Sequence, residues 1–508
     1  MELAIGFTFA GVTSTFPTMP LPDLIEIVPL DKPVHAEITV PGSKSITNRA
    51  LVLAALANGE VTLEGALWSE DTQVMVDCLV KLGFDVRVDP DPNEFCNRTI
   101  TVRGRGGEIP RSGTAAQPLE LFVGNAGTAA RFLSAMVCLG SGVYRLSGVP
   151  RMHERPQAAL FRALRELGYR VDSANDKLPA VIHGKAMEGR VPRGPRNDQG
   201  LAELVPPTRN CQVSIEHSSQ FASALLLCAE HGGWEVEVTG ENAEESPYVA
   251  MTVEMVKVFP HGGGTFQIEP DASSGSYFWA AECFVPHREV LEYSEQFGIP
   301  VPTTSLNTVK VAHWPTSDWQ VDVNFPGKIL LRPQLNYGLE RARNNWEGDE
   351  RFVQQLVNND PNNDISRTKD LGDSILTAIV LAPFSVGAVR FTDLGRLRVQ
   401  ECERVVALRT ELTKCGAKVI EAGDTLEVFP SKLHGAEIET YDDHRMAMCF
   451  AVLGLKVPGI RLRNPSCVKK TFPNFFQKLA AAPPHGLGVT IRDGKTGQVL
   501  SHDELFAE

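Results

Sequence analysis

The sequence predicts an α/β protein of two domains, assembled from repeated helix-and-strand units. Two observations carry this. The chain has 508 residues, more than one hydrophobic core ordinarily organises. Six segments along it also share one plan, opening on small or polar residues and running straight into an Ala- and Leu-rich helical stretch. Self-similarity at a spacing too long for a solenoid points to repeated α/β units.

In chain order, Ser43-Lys44-Ser45 leads into Ile46–Leu56, Gly127-Thr128 into Ala129–Leu139, and Ser218-Ser219-Gln220 into Phe221–Glu230. The second half supplies Ala272-Ser273-Ser274 before Gly275–Phe284, Gly372-Asp373-Ser374 before Ile375–Ala382, and Asp443-His444-Arg445 before Met446–Leu455. Several are followed by a strand-like stretch and then a second helix that stops at a glycine. Cys78–Val88, Ala163–Ser173 and Glu411–Glu421 read this way. Gly83, Gly168 and Gly416 follow the last apolar turn, where a helix ends, and the alternation behind each has the period of a strand.

Ser, Thr and Asp at these starts are ordinary N-caps. Capping leaves unexplained why Lys44, Arg49, Arg131, Asp373, His444 and Arg445 stand at or just inside them. A helix N-terminus carries roughly half a positive charge and unpaired N–H donors. Several such ends aimed with Lys and Arg at one cleft make a strong anion site.

Composition narrows the function. The chain is 43% hydrophobic, 22% charged and 7% aromatic, with a formal net charge of -13. That balance argues against a nucleic-acid or membrane-surface binder, while basic residues gathered in one cleft still suit an anionic substrate. No apolar run reaches the ~20 residues that span a bilayer. Met1 to Leu30 contains neither Lys nor Arg, which signal and transit peptides need, so a cytoplasmic location is expected. The ten cysteines form no CxxC pair, and Cys138, Cys228, Cys283 and Cys449 sit inside apolar runs. Buried reduced thiols are expected, and no metal.

Ordered motifs sharpen the reading. Pro41 to Arg49 is followed by Gly124 to Arg131, Arg151 to Pro156 and Ser218 to Phe221. Asp271 to Ser274, Asp373, Glu401 to Arg404, Asp443 to Met448 and Lys470 to Pro473 complete the series. One such motif alone is weak, but the set in this order resembles the 5-enolpyruvylshikimate-3-phosphate (EPSP) synthases, from about Val34 to about Leu479.

The resemblance implies the two-domain enolpyruvyl transferase fold, each domain built of three βαβαββ-type units, with the active site in the cleft between them. Residues 24–41 plus 269–508 would form one domain and 42–268 the other, the strand near Val34 to Val40 belonging with the C-terminal half. The implied reaction moves the enolpyruvyl group of phosphoenolpyruvate to the 5-hydroxyl of shikimate 3-phosphate and releases phosphate. The donor carries a carboxylate and a phosphate on three carbons, and guanidinium forks match both. By the resemblance, Lys44, Arg155, Arg404, Arg445 and Lys470 surround it, with Gln220 and the backbone of Ala126 and Gly127. Ser45, Arg49, Ser218, Ser219, Gln220, Tyr248, Asp373 and Gln400 face the acceptor. Asp373 would orient and deprotonate the hydroxyl. Glu401 and Lys44 are the candidates to protonate the donor's methylene carbon, with His444 a hydrogen-bond partner of either group. No cofactor is implied, because fixed cations replace one. The expected partners are the two small substrates, with no nucleic acid and no membrane, and a monomer is expected.

Four positions depart from the family pattern. Gln400 stands where Lys is usual, Arg396 where Asn is usual, Glu245 where a Ser binds the acceptor's phosphate, and Phe132 where Pro commonly follows Arg131. Either Arg396 restores the charge that Gln400 lacks, or the pocket is retuned to another cyclic alcohol. The stretch 313–369 is an insertion, longer than the family's usual connection. Asn358 to Asp364 reads as an exposed loop, and the stretch is expected to decorate the surface rather than cover the cleft. Transfer to a UDP-amino sugar goes with Lys-Asn where this chain has Lys44-Ser45, and with a reactive loop cysteine that has no counterpart here. RNA-cyclising enzymes share the repeat but not the donor residues. A silent metabolite-binding paralogue has no reason to keep Lys44, Asp373, Glu401 and Arg445 together.

Overall fold

The computed structural model describes residues 21–185, 209–240, 246–285, 308–329, 364–385 and 387–507. All six starts open helices: Lys44–Leu56, Gly127–Met136, Ser219–Gly232, Ala272–Glu282, Ile375–Leu381 and His444–Gly454. Each is apolar on most of its circumference and deeply buried. Ile46 through Leu56 are all inaccessible, for example, as a helix without a polar face must be. The glycine stops also hold. The helices Glu70–Lys81, Ala158–Glu166 and Arg404–Lys414 lead into Gly83, Gly168 and Gly416 at φ +91, +87 and +93. The strands Asp85–Pro90, Arg170–Asp172 and Val419–Ala422 follow.

The strands form one pattern repeatedly. Four four-stranded sheets each contain a parallel pair followed by two antiparallel pairings. Their orders are Gly264–Gln267, Glu60–Leu67, Asn97–Arg103, Asp85–Pro90; Leu119–Phe122, Val143–Ser147, Ala180–His183, Arg170–Asp172; Asp364–Ser366, Val389–Thr392, Thr425–Val428, Val419–Ala422; and Glu437–Glu439, Ile460–Arg463, Leu24–Ile27, Ile491–Asp493. Two further parallel pairs, Arg209–Ser214 with Trp234–Thr239 and Ala36–Ile38 with Val309–Val311, repeat the start of the pattern among the described residues. A strand ahead of the expected Val34–Val40 segment, Leu24–Ile27, is thus built into the C-terminal half. Asp364, expected in a loop, opens the strand Asp364–Ser366 instead, because parallel pairing with Arg390 fixes its backbone.

Two separate apolar cores result. One gathers Leu21 to Val40 with Tyr277 to Ala507, the other Ile46 to Ile268. The two crossings between them lie side by side. Gly42 bridges Pro270, the N–H of Ser43 donates to the Glu269 carbonyl at 2.8 Å, and that of Asp271 donates to the Pro41 carbonyl at 2.8 Å. The approach is tight enough that a Cβ on Gly42 would lie 2.0 Å from the Gly65 carbonyl oxygen. Beside the crossings a buried knot ties the halves. Glu94 pairs with Lys478 at 2.6 Å and accepts from Thr39 and Asn474 at 2.6 and 2.8 Å.

All ten cysteines are free thiols, eight of them buried. No helix among the described residues is long and apolar enough to cross a membrane.

Candidate active site

The six helix starts matter because the cleft between the cores is lined by all of them. The starts are not equivalent. The side chains of Ser218, Asp271 and Asp443 cap their helices, but the starts at Lys44 and Gly127 carry no side-chain cap. Nor does either first turn hold an acidic residue. The N-termini at Lys44 and Gly127 therefore offer the cleft their partial positive charge. The described lining adds eight Lys or Arg against five Asp or Glu, a basic cleft in an acidic chain.

Most of these charges interlock. Arg404, 1% exposed, donates to Asp443 at 2.8 Å and to Glu401 at 2.8 Å. Lys470 holds the other oxygen of Glu401 at 3.0 Å. Asp373 is gripped likewise, by Arg367 at 3.0 Å and Arg445 at 3.1 Å. Lys44 reaches Asp71 at 3.2 Å. Arg155 donates to the Asn125 carbonyl at 3.2 Å and lies flat on Gly127. Gln220 accepts from Arg131 at 2.5 Å and donates to Thr128 at 3.2 Å.

The electrostatic consequences oppose simple burial. Burial disfavours charge on Asp373, but Arg445, Arg367 and Arg404 outweigh it and hold the carboxyl well below its usual range. Glu401 behaves the same way, burial being outweighed by Lys470, Arg404 and Lys44. Burial keeps His444 neutral, its pKa pressed well below the ordinary value, with Arg445, Lys44 and Arg404 adding to the effect against Glu401.

Of the residues singled out in the sequence, Lys44, Ser45, Gly127, Arg155, Ser218, Ser219, Gln220, Tyr248, Asp373, Gln400, Glu401, Arg404, His444, Arg445 and Lys470 all reach the lining. Ala126 is buried at the N-cap behind it. Arg49 also lines the cleft, but it donates to Thr252, Ser223 and the carbonyls of Ser45 and Tyr248. Its guanidinium stacks 5.4 Å from the Phe132 ring, so the phenylalanine that replaces proline is a platform for it. Gln400 turns its amide oxygen to Arg404. Arg396 crosses the cleft and donates to the His217 carbonyl at 2.6 Å, next to the Ser218 helix start. Glu245 lies outside the described residues.

The expectation that 313–369 decorates the surface is corrected for the described part. Trp319, Gln320 and Asp322 line the cleft, as do Arg367 and Thr368. Gln320 brings the chain back, accepting from the Ala272 N–H at 3.0 Å and donating to the Pro270 carbonyl at 2.9 Å. Residues 330–363 lie outside the described set. Asp71, Asp322 and Arg367 were not legible as site residues, since only the tertiary return of their segments brings them to the cleft.

The sequence profile of EPSP synthase (3-phosphoshikimate 1-carboxyvinyltransferase) matches residues 29–291 and 304–479. A 3-phosphoshikimate 1-carboxyvinyltransferase of Nostoc punctiforme is 34% identical over 478 residues, covering 90% of this chain and 98% of the relative. One of Opitutus terrae is 34% identical over 494 residues, covering 91% and 98%. Among solved structures, EPSP synthase from Acinetobacter baumannii superposes with a TM-score of 0.57 at 19% identity, over 92% of this chain and 99% of that one. The enolpyruvyl transferase NikO from Streptomyces tendae does so at 0.53 and 15%, over 93% and 99%. These likenesses show the enolpyruvyl transferase fold, and on the profile and the sequence identities the chain belongs to the EPSP synthase family.

Proposed function

We propose that the chain transfers the enolpyruvyl group of phosphoenolpyruvate to the 5-hydroxyl of shikimate 3-phosphate, releasing phosphate, on the route to chorismate and the aromatic amino acids. The observation that carries this is the pair of cleft carboxylates, Asp373 and Glu401, each held between two cations. Enolpyruvyl transfer needs one group to take a proton from oxygen and another to give a proton to carbon. Both must work amid enough positive charge for a carboxylate and a phosphate.

Asp373 takes the hydroxyl proton while the oxygen's electron pair bonds to the donor's central carbon. The double-bond pair of the donor collects a proton at the methylene carbon, from Lys44, or from Glu401 once the bound anionic donor has raised its proton affinity and it has taken up a proton. Phosphate then leaves with the C–O electron pair, and the group that gave the proton takes one back from the methyl carbon, which restores the double bond. Neutral His444, whose Nδ1 makes no hydrogen bond with any described residue, would serve as a hydrogen-bond partner of either group. Lys44, Arg155, Arg404, Arg445 and Lys470 hold the donor, with Gln220 and the backbone of Ala126 and Gly127. Ser45, Ser218, Ser219, Gln220 and Tyr248 take the acceptor. Arg49 serves through the Ser45 and Tyr248 carbonyls it holds, and Gln400 through Arg404.

Arg396 favours a phosphorylated acceptor, because it brings to the Ser218 helix start the charge that Gln400 lacks. Two domains, 24–41 plus 269–508 and 42–268, close on the substrates, as a cytoplasmic monomer without nucleic acid or cofactor.

A phosphorus NMR time course with phosphoenolpyruvate and shikimate 3-phosphate tests the reading. Inorganic phosphate appearing with an enol ether is expected. Phosphate release with an unphosphorylated ring alcohol, and none with shikimate 3-phosphate, overturns the acceptor assignment.

A further inference from the structure

Asp322 stands on the cleft wall, 7% exposed. Its Oδ1 accepts from the Ser374 N–H at 2.6 Å. Its Oδ2 approaches Gly372, where φ is +51, so closely that a Cβ there would lie 2.6 Å away. One carboxyl thus holds the Ser374 end of the turn whose middle residue is Asp373 and packs closely against its Gly372 end. Gln320, two residues earlier, pins the same segment to the Ala272 helix start. Asp373 is paired with two arginines, whereas Asp322 makes no ion pair with any described residue. Two carboxyls of opposite character are held side by side.

We propose that Asp322 is a positioning residue for Asp373: it fixes the Gly372–Ser374 turn, and its negative charge offsets part of the pull of the two arginines on the Asp373 carboxylate. This rests on the reading of Asp373 as the group that deprotonates the acceptor. A carboxylate clamped by two guanidinium groups is a poor base, and a second negative charge beside it makes it a better one than the guanidinium groups alone would leave. Asp322 itself takes no proton from substrate. Burial first, and then the charge of Asp373, push its own carboxyl up to about 7. The tuning charge is therefore present above neutrality and lost below it.

The charged and titratable groups on the surrounding elements are consistent with this. Asp373 and Arg367 flank it from the 364–374 segment, and Asp271 from the start of Ala272–Glu282. Arg445 comes from His444–Gly454 and Tyr248 from Ser246–Val258. Lys328 on Phe325–Ile329 is committed to Asp370 at 2.6 Å.

Asp322→Asn keeps an oxygen for the Ser374 N–H and removes the charge. The expected result is a kcat lowered about tenfold at pH 8, with KM for both substrates within about twofold. The wild-type rise in kcat between about pH 6 and 8 should also vanish in the variant. An unchanged kcat, or a lower kcat with that rise intact, overturns the proposal. If the variant does not fold, carbon-13 NMR of wild-type protein labelled at aspartate side-chain carboxyls decides. A carboxyl titrating near 7 is expected, and titration of every aspartate below about pH 5 overturns it. Asp373→Asn separates the two assignments. Turnover retained there sinks the base reading, while abolished turnover beside an unaffected Asp322→Asn sinks only this inference.

Discussion

The ammonium of Lys470 lies 3.0 Å from Oε1 of Glu401, and the two come from turns 69 residues apart. The proposed donor-side cation and the proposed acid–base carboxyl are therefore within hydrogen-bond reach of each other. Each governs the charge of the other, so removing one is not a local change.

Glu401→Gln should separate binding from chemistry. It leaves Lys470 and Arg404 with more positive charge for the donor, while removing a proton-transfer group worth roughly 10²- to 10⁴-fold. We expect kcat to fall by at least about a hundredfold, with KM for phosphoenolpyruvate unchanged or lower. Steady-state kinetics check this, and a raised KM with normal kcat contradicts it.

Gly127→Ala should strike the donor alone. The added Cβ would sit 2.7 Å from the Arg155 guanidinium carbon, so the arginine must move off the helix start. KM for phosphoenolpyruvate should rise about tenfold, the scale of a misfit of one methyl group. KM for the acceptor should stay within about twofold. Isothermal calorimetry with each substrate separates the two.

Arg396→Ala should strike the acceptor alone. Loss of a charge-assisted bond is worth about 1.5 to 3 kcal/mol, so affinity for shikimate 3-phosphate should drop roughly ten- to a hundredfold. Adding Gln400→Lys to that variant should recover part of it. Failure of either result in calorimetry returns the retuned-pocket reading to the front.

Acid stability should depend on these groups with opposite signs. Glu401 and Asp373 have depressed values, so they stabilise the fold above the unfolded carboxyl range near about 4, and this is lost as pH falls below it. Asp322 is raised to about 7, so its cost grows as pH rises from about 4 to 7 and is constant above. Asp322→Asn should therefore be more stable than wild type at pH 8, by on the order of a few kcal/mol. The two should converge toward pH 4. Urea unfolding at several pH values reads both trends.

The helix starts were legible because a polar opening before a long apolar run leaves few alternatives, and Gly83, Gly168 and Gly416 marked the stops through a backbone that other residues avoid. The cleft cations Lys44, Arg155, Arg404, Arg445 and Lys470 were legible because they sit in ordered motifs. What stayed hidden depends on chain return. Nothing local in Pro22 to Pro29 says that Leu24–Ile27 pairs with Ile460–Arg463. Nothing in a segment beyond the motifs says that Gln320 will anchor Asp322 beside Asp373. Nor does a serine before a helix reveal whether it caps, as Ser218 does and Ser43 does not.

The placement of Leu24–Ile27 between Ile460–Arg463 and Ile491–Asp493 has a consequence for how the protein is made. This strand leaves the ribosome long before either of its neighbours. At 5–20 residues per second the wait is on the order of tens of seconds. Meanwhile the core around Ile46 to Ile268 has all its partners already and is free to fold. Synthesis therefore produces one finished half carrying an unpaired, apolar leading strand, the form of the chain most open to chaperones and to misassociation.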